Sequence, residues 1–381
     1  MSSFSKITPR LPAVFLLLLA LGLITACAPK TKIQAVRPAE VSLPGVRTLA
    51  VLPFKGEYGE EVREDFYHKL YEVRHFNLLD LSQNNALDRV QWEQMDDPRY
   101  VPEFKQIQAD AAITAYTAPQ VDDVRGTDQV QMQEGTGKYR KVKKENFFTG
   151  EEYIENEEIM RTVLRPVPYV VRTASLSASM KVIDLNTRRI LATKKIVETS
   201  KEKYGGKKKN DSFFSSKKHK GIDQLPTKEA TLNLLARRAA AKLVAKIAPT
   251  RYTMEVQLAK GTSGGFFGGG EIVDKGVEYA KKGDWSGAME CWRMAVDQNP
   301  HSSPALYNLG VAYEARGTLQ DYLLARDYYT KAARFGDDDL FVDGKVRINS
   351  KIRDAKKLNA QKKELDKVPE KKAAGGDIQI Y

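Results

Sequence analysis

Three pairs of residues set 34 positions apart constrain this chain most: Gly276 and Gly310, Tyr279 and Tyr313, Gly283 and Gly317. They belong to a longer order of small and aromatic residues that occurs twice. The first unit holds Gly276, Tyr279, Gly283, Ala288, Trp292, Ala295 and Pro300; the second holds Gly310, Tyr313, Gly317, Ala325, Tyr329 and Ala332. Small residues let two helices approach closely, and aromatic residues fill the groove between them. A period of this length encodes a helix–turn–helix unit that cannot bury its apolar face alone and must stack on a neighbour. The second unit carries three extra residues, assigned to its turn around "TLQDYL", and lacks the closing proline. The stretch "DDDLFVDGKVRINSKIRDAKKLNAQKKEL" then predicts a charged helix that caps the stack.

The 34-residue period and its residue order resemble the tetratricopeptide (TPR) repeat. That resemblance implies an all-α domain over 272–365, with a groove for a partner's peptide or helix. A stack this short can also serve only to pack on another domain or to stabilise an oligomer. Asn308 lies on the first helix of the second unit and resembles the asparagine that holds peptide ends in some such domains. Tyr307, Tyr313 and Arg316 are candidates beside it. Cys291, next to Trp292, reads as a buried packing residue. Before the repeat, "GTSGGFFGGGE" lacks the Gly-Lys-Ser/Thr of a phosphate loop. It reads as a linker over 259–271, and 366–381 as a disordered tail.

The N-terminus gives the location. Lys6 and Arg10 precede the apolar run "LPAVFLLLLALGLI" and the small residues of "TACAP", which is the layout of a secretory signal over 1–26. The run is short of the about 20 apolar residues a spanning helix needs. "LITAC" resembles the bacterial lipobox, which implies lipidation of Cys27, an anchor of several acyl chains and a tether over 27–42. The other reading is an ordinary signal with an incidental cysteine. Ala28 stands where an aspartate would resemble an inner-membrane retention signal. The expected location is therefore the outer membrane, facing the periplasm. With only Cys291 beside Cys27, no intrachain disulfide framework can form in the mature chain.

Between anchor and repeat the pattern is α+β. "VRTLAVLPF" (Val46 to Phe54), "FNLLDL" and "ADAAITAYTA" (Ala109 to Ala118) read as strands. "EEVREDFYHKLYEV" is an amphipathic helix through Val62, Phe66, Leu70 and Val73, and Ser82 is a candidate cap for a second helix. In "VRTASLSASMKVIDL", Ala174, Leu176, Ala178, Met180 and Val182 fall on one face. Thr173, Ser175, Ser177, Ser179 and Lys181 fall on the other, so one face is buried and one is wet. "ILATKKIVETS" returns antiparallel, "TKEATLNLLARRAAAKLVAKI" is a core helix, and "RYTMEVQL" is expected as the last strand of the same sheet. A mixed or antiparallel sheet with packed helices is the fold class.

"RTLAVLPF", "ADAAITAY" and the "VVRTASLSASMKVIDLNTRRILATKKIVETSK" strand pair together resemble the CsgG-type domain of curli-export lipoproteins, over 43–258. Arg188 stands in place of the turn's usual glycine. In that family two inserted segments become transmembrane hairpins of a ring-shaped pore. Here the insertions lie at about 119–168 and 202–225, and they are charged. "GKYRKVKKENFFTGEEYIENEE" turns from basic to acidic at Thr149-Gly150, and neither face of either half is apolar, so a lipid-facing role is disfavoured. Folding at that point sets basic against acidic, which predicts an extended hairpin in water; a docking arm and a disordered loop are the other readings. The second insertion is a flexible basic loop. Its Lys207, Lys208, Lys209, Lys217, Lys218 and Lys220 are candidates for contact with an anionic surface. A lipid anchor outside the cytoplasm argues against nucleic acid.

His68, His75, His219 and His301 form no HExxH and no cysteine cluster, and no GxSxG occurs. No enzyme, cofactor or metal site is expected. The expected function is a lipid-anchored scaffold or adaptor that binds protein partners through the repeat groove. The alternative is a ring-forming export pore, or its accessory subunit, with self-association.

Overall fold

The computed structural model describes residues 28–81, 89–146, 150–207, 220–261 and 270–368. Cys27, the Ser82 cap, most of the glycine linker, residues 369–381 of the expected tail and four candidate lysines (Lys208, Lys209, Lys217 and Lys218) lie outside these residues. The chain forms two compact units. One is Ala39–Pro249 with the residues from Lys363 onward; the other joins the chain up to Pro38 to Thr250–Lys362. Together they make a mixed α+β protein.

The first unit is built on a six-stranded sheet. Its path is β4 (Asn77–Asp80), β2 (Thr48–Val51), β5 (Ala111–Glu145), β6 (Glu152–Asp184) and β7 (Arg189–Gly205), with short β3 (Lys55–Gly56) also on β5. β2 runs parallel to β4 and β5; β5, β6 and β7 run antiparallel in turn. Helices α1 (Gly59–Val73) and α2 (Lys228–Ile247) cover one face. There Ile113, Leu176, Ala178 and Met180 are fully buried with Phe66, Leu70, Leu235 and Leu243. The alternation along β6 and the spacing of both helices hold as expected. The small residues of β5 meet Ala236, Ala239 and Ala240 of α2, which lets helix and sheet approach closely.

The other face departs from expectation. Ser175, Ser177 and Ser179 are partly exposed, but Lys181 is buried. A segment of short 3-10 turns, Glu93–Asp96, Pro98–Tyr100 and Pro102–Gln106, lies across this end of the sheet. Its Met95, Val101 and Phe104 pack on Ala50, Leu52, Ala112 and Ile183. The Lys181 ammonium pairs with Asp96, donates to the Trp92 carbonyl at 3.3 Å and sits 4.1 Å from the centre of the Trp92 ring. A buried charge is tolerated because it is paired.

The second unit corrects the expected boundaries. The predicted tether contains strand β1 (Lys30–Arg37), which pairs antiparallel with β8 (Thr250–Gln257) from Lys30↔Gln257 to Arg37↔Thr250. Strand β8 therefore belongs to no part of the six-stranded sheet. The reason is burial: Ile33, Val256 and Leu258 lose their water among the helices of this unit, not in the other core. Those helices are α3 (Gly270–Lys281), α4 (Trp285–Gln298), α5 (Ser303–Arg316), α6 (Leu319–Phe335) and α7 (Asp339–Asp366). Gly276 and Gly310 each lie against an aromatic ring: a Cβ on the first would fall 2.4 Å from Trp292 Nε1, on the second 2.6 Å from Tyr329 Cε1. Gly283 and Gly317, at φ 84° and 82°, turn the chain between helices. The three extra residues do not widen a turn. α4 and α6 begin 34 positions apart, and α6 is the longer helix, with 17 residues against 14. Three residues are close to one helical turn, so Ala325, Tyr329 and Ala332 still face inward, all fully buried.

Candidate interaction surfaces

β7 stops pairing with β6 at Tyr169↔Gly205, yet β5 and β6 continue together to Glu145↔Glu152. The last 19 residues of β5, from Thr127, thus form a ribbon with β6 alone, roughly 60 Å long at the usual strand rise. Its root is fastened by charge. Arg172, almost fully buried, grips Asp123 through two bonds of 2.7 and 2.8 Å and also bonds the Pro226 carbonyl. The Arg172 guanidinium holds the Asp123 carboxyl below its ordinary range. One turn outward, Asp128 accepts from Lys203 Nζ at 2.6 Å and from the Lys207 amide at 2.8 Å; these bonds likewise depress its carboxyl. Tyr169 lies across Gly126, with the Lys203 ammonium 3.8 Å from its ring centre.

The tip matches the sign change in the sequence. Arg140 pairs with Glu157 at 2.8 Å, Lys143 with Glu152 at 3.1 Å and Lys144 with Glu155 at 2.7 Å. Arg161 and Arg165 both reach Glu134. Asn146 N donates to Glu151 O, and Gly150, at φ 71°, donates to Asn146 O. β5 is basic here and β6 acidic, so the ribbon's two open edges carry opposite signs. Exposed pairs of this kind contribute about 0–1 kcal/mol each, and an isolated two-stranded ribbon is marginal in water.

The β5–β6 pair, from its root to the middle of the ribbon, holds a feature the sequence reading missed. The register places Val124, Val130, Met132, Val163, Val167 and Val171 on one face, and Gln129, Gln131 and Gln133 on the other. Val124 is 62% exposed and Met132 43%. Alternation in "VDDVRGTDQVQMQ" carries this signal, but Asp128, Glu134, Arg161 and Arg165 on the same face interrupt it.

Of the six lysines proposed for an anionic surface, only Lys207 and Lys220 are described, at the two ends of the basic loop. The Gly205 amide donates to the Lys220 carbonyl at 2.8 Å and closes the loop's base. The Lys220 ammonium pairs with Glu202, which raises its pKa, and Glu202 also accepts from the Tyr204 hydroxyl.

In the helical unit the four partner-binding candidates divide. Asn308 is fully buried; its Oδ1 accepts from Ala259 N at 2.9 Å and its Nδ2 donates to Ala259 O at 2.8 Å. Tyr307, also buried, donates from its hydroxyl to Gln257 O at 3.0 Å. These two side chains hold a backbone of the same chain, at the end of β8 and just after it. Tyr313 and Arg316 remain outside: Tyr313 stacks on Tyr328 at 5.4 Å, its hydroxyl accepts from Arg293, and Arg316 lies 5.6 Å from its ring and pairs with Asp321.

Behind the clamp is a buried ionic cluster that the sequence did not disclose. Glu314 on α5 has no exposure, yet it accepts from Arg347 at 2.9 Å, from the Tyr329 hydroxyl and lies 2.9 Å from Lys351. Burial pushes its carboxyl up; Arg347, Lys351 and Tyr329 together outweigh that and hold it below its ordinary value. Burial pushes the Lys351 ammonium down, against the pull of Glu314. Two cations of the capping helix α7 are thereby fixed to the repeat.

No group of histidine, cysteine and acidic residues with metal-binding geometry occurs among the described residues, and no helix among them is long and apolar enough to cross a membrane. No family model matches the sequence, and no curated protein matches it. Among solved structures, the chain is similar to the PelC dodecamer from Paraburkholderia phytofirmans, at 10% identity and a TM-score of 0.22, over 57% of this chain and 96% of that one. It is also similar to a PDZ domain protein from Parabacteroides distasonis, at 8% identity and a TM-score of 0.19, over 63% and 45%. At TM-scores below 0.5 neither likeness establishes a shared fold.

Proposed function

We propose that this chain is a lipid-anchored protein of the bacterial envelope that assembles with copies of itself through the β5–β6 hairpin, as a platform for assembly or export. The observation that carries this reading is the ribbon of roughly 60 Å with a basic β5 edge and an acidic β6 edge. Open edges seek a partner strand. Side by side, two copies set the acidic β6 of one against the basic β5 of the next, in antiparallel sense. Each added copy repeats the match, and a head-to-tail contact of this kind closes into a ring when its rotation permits. The resemblance of "RTLAVLPF", "ADAAITAY" and the β6–β7 pair to CsgG-type lipoproteins supports an envelope role, and "LITAC" supports the anchor at Cys27. Each lysine or arginine turned to lipid at the midplane would cost about 2–4 kcal/mol. The tip strands therefore belong in water. The reading assigns no catalysis, cofactor or nucleic acid.

A second reading has its own observation. The half-buried Tyr313–Tyr328 stack, with Arg293 and Arg316 beside it, has the aromatic and arginine composition of binding hot spots. A TPR-type adaptor would use this surface and not the clamp at Asn308.

The test of self-assembly is a charge exchange. Reversing Lys141, Lys143 and Lys144 to glutamate, or Glu155, Glu157 and Glu158 to lysine, abolishes large species in either variant alone. Mixing the two sets an all-acidic tip against an all-basic one at both edges, and an alternating large species returns by native mass. Unchanged large species in both single variants contradict the reading.

A further inference from the structure

Resting on the reading of Cys27 as the acylated residue, we infer that the anchor holds the helical unit directly on the membrane, with the cavity rim beside Pro29 seated in the lipid headgroups. Chain length sets the distance between anchor and fold. Pro29 is already fixed: its carbonyl accepts from Leu258 N at 2.7 Å. From there β1 pairs with β8 over eight residues; Ile33 is buried in the helical core and Ala35 is also buried. The expected tether therefore offers no slack. Two Cα steps separate Cys27 from Pro29, a reach of at most about 7.6 Å. The polar layer of one leaflet is itself roughly 5–8 Å deep.

Pro29 lies in the wall of a cavity of about 710 Å³. Residues 257–261 with Lys260, the α4–α5 loop, and the α6–α7 loop with Asp337 and Asp338 form the rest of its wall, together with the adjoining helix ends. Phe335 is 41% exposed on this wall, its ring 4.3 Å from that of His301. An exposed aromatic ring against His301, with Lys260 on the same wall to meet lipid phosphate and Asp337 and Asp338 to meet headgroup amines, is the composition of a headgroup-level contact. The α3–α4 loop lies at the opposite ends of these helices, about 20 Å away for a 14-residue helix.

The occupant is a phospholipid surface, and depth quenching reads it. Full-length lipidated protein carrying Cys291→Ala is labelled with bimane at Asp337→Cys or at Lys282→Cys and reconstituted in phosphatidylethanolamine–phosphatidylglycerol vesicles containing a headgroup-nitroxide lipid. Quenching at position 337 exceeds that at 282 several-fold. A glycine–serine insert of about 20 residues after Ala28 leaves flotation intact and removes the difference. Protein that floats with equal quenching at both positions overturns the placement alone. Protein that does not float with its vesicles, or floats equally well with Cys27→Ser, overturns the anchor and the placement with it.

Discussion

Two ribbons of paired strands differ in one respect, and that difference separates structure from function. The β1–β8 ribbon is short, and its Ile33 and Val256 are covered by helices of the same chain. The outer β5–β6 ribbon is far longer, is fastened only at its root, and exposes Tyr139, Ile154 and Leu164 by more than 60% each. A two-stranded ribbon needs cover. One ribbon finds it within the molecule, so the groove at Asn308 is an internal joint. The other finds none among the described residues, so it is the surface that looks outward.

The comparison is broken most severely through the helical unit that covers the first ribbon. Glu314→Gln leaves Arg347 and Lys351 buried without their counter-charge, and is expected to cost about 3–5 kcal/mol in chemical denaturation of that unit. A loss below 1 kcal/mol would show that the cluster relaxes freely. Trp292→Ala, at a fully buried ring, is expected to cost about 3–5 kcal/mol in the same measurement. Asn308→Leu keeps the volume but leaves the Ala259 amide and carbonyl unpaired, for about 1–3 kcal/mol and faster hydrogen exchange across β8.

Acid sharpens the same contrast. The folded-state pKa of Glu314 is depressed, so its contribution is complete above the ordinary value of 4.5 and is lost as pH falls through the lower folded value. The stability of the helical unit should therefore fall with acid below about pH 4.5, and Glu314→Gln should flatten that fall. In the sheet unit, Glu40, held at about 2 by Lys246 and Lys194, follows the same sign over the window from 4.5 to about 2. The smallest expected effect is on the outer ribbon. Reversing Glu155 and Glu157 should change monomer stability by less than about 1 kcal/mol, because these pairs are solvent-exposed; a larger loss would mean the ribbon is part of the folded core.

How much of this was legible in the sequence follows from the physics of each element. The repeat was, because Gly276, Gly310, Trp292 and Tyr329 must sit where backbone meets ring. The sign change at the tip was, because opposed strands neutralise each other. The pairing of "KTKIQAVR" with "RYTMEVQ" was not: local alternation marks a strand but cannot name a partner some 220 positions away. The burial of Lys181 was hidden for the same reason, since Asp96 and Trp92 reach it from another segment. Glu314, Arg347 and Lys351 read as ordinary surface charges until the capping helix brings them together.

The most direct test of the central claim is the native mass of the lipidated, detergent-extracted protein, compared with a variant in which residues 128–167 are replaced by a short turn. The account predicts a large symmetric species for the full chain and a folded monomer for the shortened one. A monomeric full chain, or an assembly that survives loss of the ribbon, would contradict it.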